Sequence, residues 1–413
     1  MKAESRTPTF IDLFAGAGGL TEGFKQAGFK CLFATDFDAN CAATHKLNHP
    51  DVPFYDEPIE TLSSKKLLGF LGNESEVDLV VGGPPCQGFS VNAPVRHWND
   101  PRNHLFAHFV RTVKTLQPRF IVFENVPGLI SLDGGRVVDA VYGAFSRAGY
   151  RLKHRILFAA HHGIPQERWR LFFIGTRMSR TEIRFPYPTH YAEGVANFTG
   201  GKELTFVAKP QTLFEQLKRF ISVREAIGDL PLLANAGGVD EAAYDRPPLT
   251  EYQRLIRGES RILWHHVAPK LAEVNLERMK HIPPGGSWRD IPYDLLPVGM
   301  RRARRSDHTK RYGRLHPDGL CCTIMTKCDP HWGSYFHWDQ ERVLTVREAA
   351  RIQSFPDSYR FVGPAVRQYV QIGNAVPPLL ATAVGLEIRV SMDEAPGINA
   401  AHSLKRMAAS ISA

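Results

Sequence analysis

Cys86 is the residue of this chain whose setting most clearly suits a chemical role. It follows an apolar run, two glycines and two prolines that together span 79–85. The run Leu79–Val81 predicts a buried parallel strand, and ligands bind outside the carboxyl ends of such strands in open α/β sheets. The prolines fix the backbone directly before the thiol. We therefore interpret Cys86 as a nucleophile, the alternative being a small buried apolar side chain at a turn.

Three charged residues stand at the ends of other predicted strands. Glu124 closes the apolar strand Phe120–Glu124, a setting that raises a carboxyl pKa and makes the group a proton donor near neutral pH. Arg168 and Arg170 lie two positions apart at the start of another strand, so both side chains can face one side of the chain. Such a pair could hold a carboxylate, a phosphate or a base carbonyl. The alternatives are a surface ion pair for Glu124 and solvated charges for the arginines.

A glycine-rich turn suggests a cofactor site near the start of the chain. The predicted strand Phe10–Phe14 leads into Gly16, Gly18 and a helix, which lets the backbone approach a nucleotide-like group closely. Thr21 stands where the dinucleotide fingerprint has its third small residue, which disfavours a nicotinamide cofactor and leaves an adenosyl group open. Asp36 ends the next strand, where a carboxylate can accept hydrogen bonds from both ribose hydroxyls. A helix N-cap is the alternative for Asp36.

The elements that must position these groups alternate as in a parallel α/β fold. From Thr9 to about Ile174, apolar runs, turn residues and amphipathic stretches repeat, which predicts a doubly wound, mostly parallel sheet. The predicted strands are Phe10–Phe14, Cys31–Thr35, Leu79–Val81, Phe120–Glu124 and Leu171–Gly175. A later helix is predicted with Thr345 as its N-cap and Glu348 three residues on.

The chain divides into three predicted segments. Residues 1–189 form a catalytic, cofactor-binding domain, and 343–413 return to it, with a frayed tail from about 392. Between 190 and 342 the pattern breaks into irregular, proline-rich stretches, which predicts a smaller second domain. That segment carries a basic cluster formed by Arg301, Arg302, Arg304, Arg305, Lys310 and Arg311. The cluster predicts contacts with nucleic-acid phosphates, the alternative being a solvated charged surface.

Composition is compatible with this organisation. The chain has 413 residues, a formal charge of +9 and only six cysteines. The positive charge favours an anionic partner, although it also occurs in ordinary basic enzymes. The few cysteines are typical of a reducing compartment, and the spacing of Cys321, Cys322 and Cys328 fits no common zinc site, so we expect no metal. The start lacks a signal sequence and no long uncharged apolar run occurs, which predicts a soluble, cytoplasmic protein.

Six motifs in order resemble those of the DNA cytosine-5 methyltransferase family, in particular its bacterial modification enzymes. The motifs are Asp12–Gly19, Gly83–Ser90, Glu124–Val126, Gln166–Arg170, Arg347–Arg351 and Gln371–Pro378. They extend over nearly the whole chain. The resemblance implies a Rossmann-like domain that uses S-adenosylmethionine and releases S-adenosylhomocysteine. It also implies that 190–342 reads the sequence of double-stranded DNA.

The resemblance further implies roles for individual residues. The Cys86 thiolate would add to C6 of a cytosine flipped out of the duplex while Glu124 protonates or hydrogen-bonds N3, so that C5 can take the methyl group. Arg168 and Arg170 would position the base and Cys86, with Arg170 at the cytosine O2. The residues implied in cofactor binding are Phe14, Gly16, Gly18, Asp36, Phe37, Asp56, Leu105 and Asn374. Asp56 departs from the family pattern, because Glu57 and Pro58 separate it from Ile59.

Three other functions are compatible with parts of this sequence pattern. A tRNA cytosine-5 methyltransferase would share the fold and most motifs, but the long basic insertion favours duplex DNA. A nicotinamide oxidoreductase is disfavoured by the glycine spacing. A non-catalytic DNA-binding relative would lack Cys86, Glu124 or an arginine, and all are present. The expected partners are double-stranded DNA and a restriction endonuclease that acts separately, and we expect a monomer in the bacterial cytoplasm with no membrane association.

Overall fold

The computed structural model describes residues 6–72, 76–84, 104–192, 217–307 and 310–393. Cys86 therefore lies outside the described residues. The segment between Pro84 and the helix that begins at His104 is likewise not described.

A seven-stranded sheet forms the centre of the protein. The strands of the first half of the chain are β1 (Thr9–Leu13), β2 (Lys30–Thr35), β3 (Phe54–Tyr55), β4 (Leu79–Gly82), β5 (Phe120–Asn125), β6 (Arg151–Phe158), β7 (Gln166–Glu167) and β8 (Trp169–Thr176). The order across the sheet is β3-β2-β1-β4-β5-β8-β6. The first five of these strands pair in parallel, whereas β8 runs antiparallel to both β5 and β6. The predicted doubly wound, mostly parallel sheet is confirmed.

The direction of winding reverses between β1 and β4, which are neighbours in the sheet. The chain builds outward from β1 through β2 to β3, and then from β4 through β5 in the opposite direction. Ligands in doubly wound sheets bind at the carboxyl ends of the strands where the order reverses. The glycine turn follows β1, and the residues that lead to Cys86 follow β4. The glycine turn and the described residues that precede Cys86 therefore both lie at this reversal.

Helices cover both faces of the sheet, as the alternation of apolar side chains along each strand requires. The helices of the first half are α1 (Gly19–Gln26), α2 (Ala39–Asn48), α3 (Ser64–Leu71), α4 (His104–Leu116) and α5 (Arg136–Ser146). On one face, Phe10 and Leu79 pack in a core with α1 and with a late helix, α11 (Pro378–Asp393). On the other face, Ile11 and Val80 pack with α3, α4 and α5.

The remaining elements lie between residue 190 and the end of α10. They are β9 (His190–Tyr191), β10 (Lys218–Arg219), α6 (Val223–Ile227), β11 (Gly238–Ala243), α7 (Glu251–Arg257), β12 (Ile262–Val267), α8 (Glu273–Lys280), β13 (Gly313–Arg314), β14 (Cys321–Cys322), β15 (Ser334–Phe336), α9 (Val346–Ile352) and α10 (Ala365–Asn374). The predicted capping box of α9 is confirmed, because the Thr345 side chain caps the helix and Glu348 returns to the Thr345 backbone.

Two further cores organise this half of the chain. One combines α6, α7 and β12 with α9 and α10, and it reaches the glycine turn through Ala17. The other draws its buried apolar residues from 271–343. Within the described residues, one helical stretch, 365–393, passes a length and composition test for a membrane span. Its apolar window is 61% buried inside the protein, as in a core helix of a soluble fold.

Candidate active site

Four strands bring the candidate residues to one edge of the sheet. Phe14 follows β1, Asp36 follows β2, Gly83 follows β4, and Glu124 lies near the end of β5. Because these strands are parallel, their carboxyl ends lie at the same edge. Residues that are far apart in sequence thus surround one location.

Glu124 and Arg170 form a buried ion pair at this edge. Arg170 Nε lies 2.9 Å from Glu124 Oε1, and each side chain is only 12% exposed. Burial raises the pKa of Glu124, and the positive charges of Arg170 and Arg168 only partly offset that effect. The pKa of this carboxyl therefore lies above its ordinary value. An acid with such a pKa can hold a proton nearer to neutral pH than an exposed glutamate can.

The second oxygen of Glu124 lies close to Gly83. A Cβ atom on Gly83 would lie 2.9 Å from Glu124 Oε2, closer than such contacts normally come. Asn125, next to Glu124, donates a hydrogen bond from Nδ2 to the Pro84 carbonyl at 3.2 Å. This contact ties the end of β5 to the backbone that leads to Cys86. Sequence reasoning assigned no role to Gly83 or Asn125, although both lie inside motifs that it had identified.

Arg168 bonds to backbone carbonyls, whereas Arg170 pairs with a carboxylate. Its guanidinium donates to the carbonyls of Ile324 at 2.9 Å, Gly373 at 2.6 Å and Ala375 at 3.0 Å, and the residue is only 1% exposed. The strand is interrupted at Arg168, between β7 and β8, so simple alternation does not govern the two arginines. Arg168 thus joins this edge to the end of α10, and its action on the substrate base stays a prediction.

Gln166 strengthens the same junction and was not assigned a role from sequence. Its Oε1 accepts a hydrogen bond from Ile324 N at 2.9 Å, and its Nε2 donates to Gln353 Oε1 at 2.5 Å. Gln353 in turn donates to the Ala375 carbonyl at 2.7 Å. These contacts fix the backbone on both sides of Asn374.

The glycine turn has an unusual backbone. Phe14, Gly16 and Gly18 have φ values of 59°, 55° and 93°, in the left-handed region that glycine adopts most readily. A Cβ atom on Gly16 would meet no atom within 4 Å, so this part of the turn borders open space. The Gly16 amide donates to Asp36 Oδ2 at 2.8 Å. Asp36 therefore holds the turn as well as facing the same edge.

Asp36 is not a helix N-cap. The side chain that caps α2 belongs to Asp38, whose Oδ1 accepts from Asn40 N and Cys41 N. Burial raises the pKa of Asp36, although the amides of Asp38 and Gly16 counteract it. The neighbouring Phe37 ring is 67% exposed. An open turn, an adjacent carboxylate and an exposed aromatic ring together fit an adenosyl group.

The other predicted cofactor residues have less distinctive surroundings. Asp56 follows β3 and pairs with Lys46 at 2.6 Å, which lowers its pKa. Leu105 lies in the first turn of α4 and is partly buried beside the sheet core. Asn374 ends α10 with an exposed side chain. Within the described ranges, no group of three or more His, Cys, Asp or Glu side chains could hold a metal ion.

Within the described residues, some arginines of the basic cluster donate side-chain hydrogen bonds to backbone carbonyls and others do not. Arg301 donates to the carbonyls of Asp294 at 2.9 Å and Leu296 at 3.3 Å, and Arg305 donates to the Arg289 carbonyl at 3.2 Å. The side chains of Arg302 and Arg304 are exposed, and neither forms a side-chain hydrogen bond to any described residue.

Two cations at the end of the cluster contact other side chains. Lys310 Nζ lies 3.1 Å from a Glu167 oxygen, and Glu167 is adjacent to Arg168 in the chain. Arg311 lies over the ring of Trp332, 5.6 Å from its centroid, and that ring is 47% exposed. Lys310 therefore brings the basic cluster into contact with the motif Gln166–Arg170.

A doubly wound sheet with this open glycine turn and a buried carboxylate–arginine pair indicates a Rossmann-like methyltransferase. The sequence profile of a family described as C-5 cytosine-specific DNA methylase matches residues 8–389. The chain belongs to that family. It is a DNA cytosine-5 methyltransferase that depends on S-adenosylmethionine, and DNA is its substrate.

Individual relatives agree with this assignment. The chain is 35% identical to the Type II methyltransferase M.AgeI of Thalassovita gelatinovora, over 92% of this chain and 99% of the relative. It is 34% identical to the Type II methyltransferase M.DdeI of Desulfomicrobium norvegicum, over 96% and 92%. A crystal structure described as a prophage-encoded DNA modification methyltransferase from E. coli has a TM-score of 0.71 and 26% identity, covering 94% of this chain and 100% of that one. The tRNA alternative is the weaker one.

Proposed function

We propose that the protein methylates one cytosine within a specific sequence of double-stranded DNA, as a bacterial modification enzyme. The observation that carries this proposal is the buried Glu124–Arg170 pair, 2.9 Å apart, beside the backbone that leads to Cys86. A cytosine in a duplex does not expose its ring faces, so the base must be flipped out, at a cost of a few kcal/mol.

In the proposed mechanism, Cys86 acts as the nucleophile. Its thiolate forms a bond to C6 of the flipped cytosine, and the electrons of the C5–C6 double bond move toward N3. Glu124 protonates or hydrogen-bonds N3, which makes C5 nucleophilic. Bound S-adenosylmethionine supplies an electrophilic methyl group to C5. Water then takes the C5 proton, N3 returns its proton to Glu124, and departure of the Cys86 thiolate restores the aromatic ring.

Arg170 has two proposed tasks. Its guanidinium orients Glu124 and presents N–H donors to the cytosine O2. Arg168 is proposed to stabilise the backbone near this pair, since it donates hydrogen bonds to the carbonyls of Gly373 and Ala375. The positive charge of both arginines favours the thiolate form of a nearby cysteine.

The cofactor site is proposed at the glycine turn. Asp36 would accept from the ribose hydroxyls, Phe37 would pack on the adenine, and the backbone of Phe14, Gly16 and Gly18 would line the pocket. Asp56, Leu105 and Asn374 complete the proposed set. The open space beside Gly16 supports this placement.

Recognition of the target sequence is proposed for the segment between the first catalytic part and the return at 343. The sequence predicts that this unit covers 190–342. The core of 271–343 is its best-supported part, since residues 223–263 share a core with α9 and α10. The proposed phosphate contacts are Arg301, Arg302, Arg304, Arg305, Lys310 and Arg311. The Type II names of the relatives support pairing with a separate restriction endonuclease, and we propose a cytoplasmic monomer.

Methyl transfer to DNA tests the mechanism directly. Labelled methyl groups should pass from S-adenosylmethionine to duplex DNA and not to tRNA, and the Cys86→Ala variant should lose transfer. Methylation mapping of DNA from expressing cells should give one sequence motif. Retained DNA methylation by Cys86→Ala would exclude the proposed nucleophile, and labelling of tRNA alone would exclude DNA modification as its role.

A further inference from the structure

A chain of buried polar side chains lies beneath the glycine turn. Asp12 Oδ2 accepts from the Thr21 hydroxyl at 2.7 Å, and that hydroxyl lies 3.0 Å from His45 Nε2. The rings of His45 and His49 are in contact, with centroids 4.8 Å apart. His49 Nε2 lies 3.2 Å from the Tyr359 hydroxyl, which donates to the Ala17 carbonyl.

The direction of the hydrogen bonds can be deduced from this geometry. The Tyr359 hydroxyl has one proton, which it donates to Ala17, so it must accept from His49 Nε2–H. Burial lowers the pKa of His49 to about 4, which keeps the ring neutral at pH 7. By the same argument, Thr21 donates to Asp12 and accepts from His45 Nε2–H. His45 Nδ1 is then a bare acceptor, and it has no partner among the described residues.

The turn rests directly on these groups. A Cβ atom on Gly18 would lie 2.5 Å from the Tyr359 hydroxyl and 3.2 Å from His49 Nε2. Ala17 lies between two glycines of positive φ. The Tyr359 hydroxyl donates a hydrogen bond to its carbonyl, while the neighbouring Gly16 borders open space. Glycines have large conformational freedom, so a turn built on them needs external contacts to keep one shape.

We propose that Tyr359 is a positioning residue for the cofactor. Its hydroxyl, oriented by His49, fixes the Ala17 carbonyl and thereby holds the glycine turn in the shape that binds S-adenosylmethionine. Tyr359 comes from the segment after α9, more than 300 positions away in the chain. The proposal rests on the proposed cofactor site, and it adds a residue that does not itself touch the cofactor.

Tyr359→Phe tests this role, and Tyr369→Phe is a matched control. The Tyr369 hydroxyl is also buried in the same core and donates to a backbone carbonyl, that of Leu344, at 2.7 Å. Both variants keep the ring and lose one hydrogen bond to a backbone carbonyl, and Tyr359→Phe also loses the bond from His49. By calorimetric titration, Tyr359→Phe should weaken S-adenosylmethionine binding about 5- to 10-fold, as expected for one lost hydrogen bond. Tyr369→Phe should leave binding within about 2-fold of wild type.

Amide hydrogen exchange supplies a second readout. In Tyr359→Phe without cofactor, amides of 15–19 should exchange faster than in wild type, and in Tyr369→Phe they should not. If Tyr359→Phe does not fold, His49→Leu tests the same contact, because it removes the donor to Tyr359, and weaker cofactor binding is again expected.

The outcomes separate this proposal from the one on which it rests. If the wild type does not bind S-adenosylmethionine, the proposed cofactor site is wrong. If the wild type binds and Tyr359→Phe binds equally well, the role of Tyr359 is wrong. Equal weakening in both tyrosine variants would also overturn it, because the effect would then be a general loss of stability.

Discussion

Two of the places where the described residues bury charged groups differ in how completely those groups are hydrogen-bonded. The first is the active-site edge with Glu124 and Arg170. The second is the arginine cluster, which we define as Arg342, Arg347 and Arg351 with Asp229, Glu348 and Asp357. The residues of the arginine cluster are at most 1% exposed, whereas the side chains of Glu124 and Arg170 are each 12% exposed.

In the arginine cluster each carboxylate has several donors. Glu348 accepts from Arg342 Nη1 at 2.8 Å, Arg342 Nη2 at 2.7 Å and Thr345 N at 2.7 Å. Burial alone would raise the pKa of Glu348, but the charge and hydrogen bonds of Arg342 outweigh it and hold that pKa well below its usual range. The pKa of Asp357 is likewise lowered, chiefly by Arg351 against the effect of burial.

At the active-site edge the balance has the opposite sign. Burial raises the pKa of Glu124 more than the ion pair with Arg170 lowers it, so the pKa of Glu124 lies above its ordinary value. A carboxylate surrounded by donors stabilises the fold as a fixed charge, whereas one with fewer donors can exchange a proton with a ligand. From this comparison we expect that a buried carboxylate with several donors, such as Glu348, has a structural role, and that one with fewer donors, such as Glu124, has a catalytic role.

The largest expected effect is on catalysis at Glu124. Glu124→Gln removes the proton donor but keeps the shape, so methyl transfer should fall about 10²- to 10⁴-fold. The free energy of unfolding should fall less than in the Glu348→Gln variant described below, because Arg170 is less completely buried than Arg342 and burial already disfavours the charged form of Glu124. Single-turnover methylation and urea denaturation measure the two quantities. Near-normal activity would show that Glu124 is structural, like Glu348.

The matching substitution in the arginine cluster should have the reverse outcome. Glu348→Gln leaves Arg342 buried without its counter-charge, which should lower the free energy of unfolding by about 3–5 kcal/mol. Urea denaturation compares this variant with Glu124→Gln, which makes the same chemical change. Similar stability of the two variants would remove the distinction drawn between the sites.

The pH dependence of activity sharpens the comparison. If the protonated form of Glu124 is required, activity should fall as pH rises through its folded pKa, which is raised by burial. Arg170 lowers that pKa, so in Arg170→Ala the fall should occur at higher pH, although the rate itself is reduced. Profiles of kcat/KM for both proteins test this. In the double variant that combines Arg170→Ala with Glu124→Gln, the fall of kcat/KM with rising pH should be absent. If the fall persists, another group causes it.

The smallest effect is expected at the basic surface. Arg302 forms no side-chain hydrogen bond within the described part of the chain, whereas Arg301 is bonded to two carbonyls. Arg302→Ala should reduce the slope of log Kd against log salt by about 0.9, as for one lost phosphate contact. Arg301→Ala should change that slope less and stability more. Filter binding across a salt series measures the slopes, and equal slopes for Arg302→Ala and wild type would remove Arg302 from the DNA contacts.

Much of the fold was predictable because its signals are local. Strands that end in glycine turns, the capping box of Thr345 and Glu348, and the mostly parallel sheet all follow from nearby residues. The separate roles of Arg168 and Arg170 were not predictable in this way. Both are arginines in one motif, yet the carbonyls that surround Arg168 come from residues 324–375.

The sequence alone determined the class of chemistry, since a thiol, a carboxylate and a glycine turn at strand ends have few uses, and the order of the motifs indicated the family. Only the tertiary structure decided which charges are free to act. That depends on how many donors reach each buried group, and at Glu124, Arg168 and Tyr359 those donors and acceptors come from distant parts of the chain. Burial and hydrogen-bond saturation are properties of the packed protein, so no local pattern encodes them.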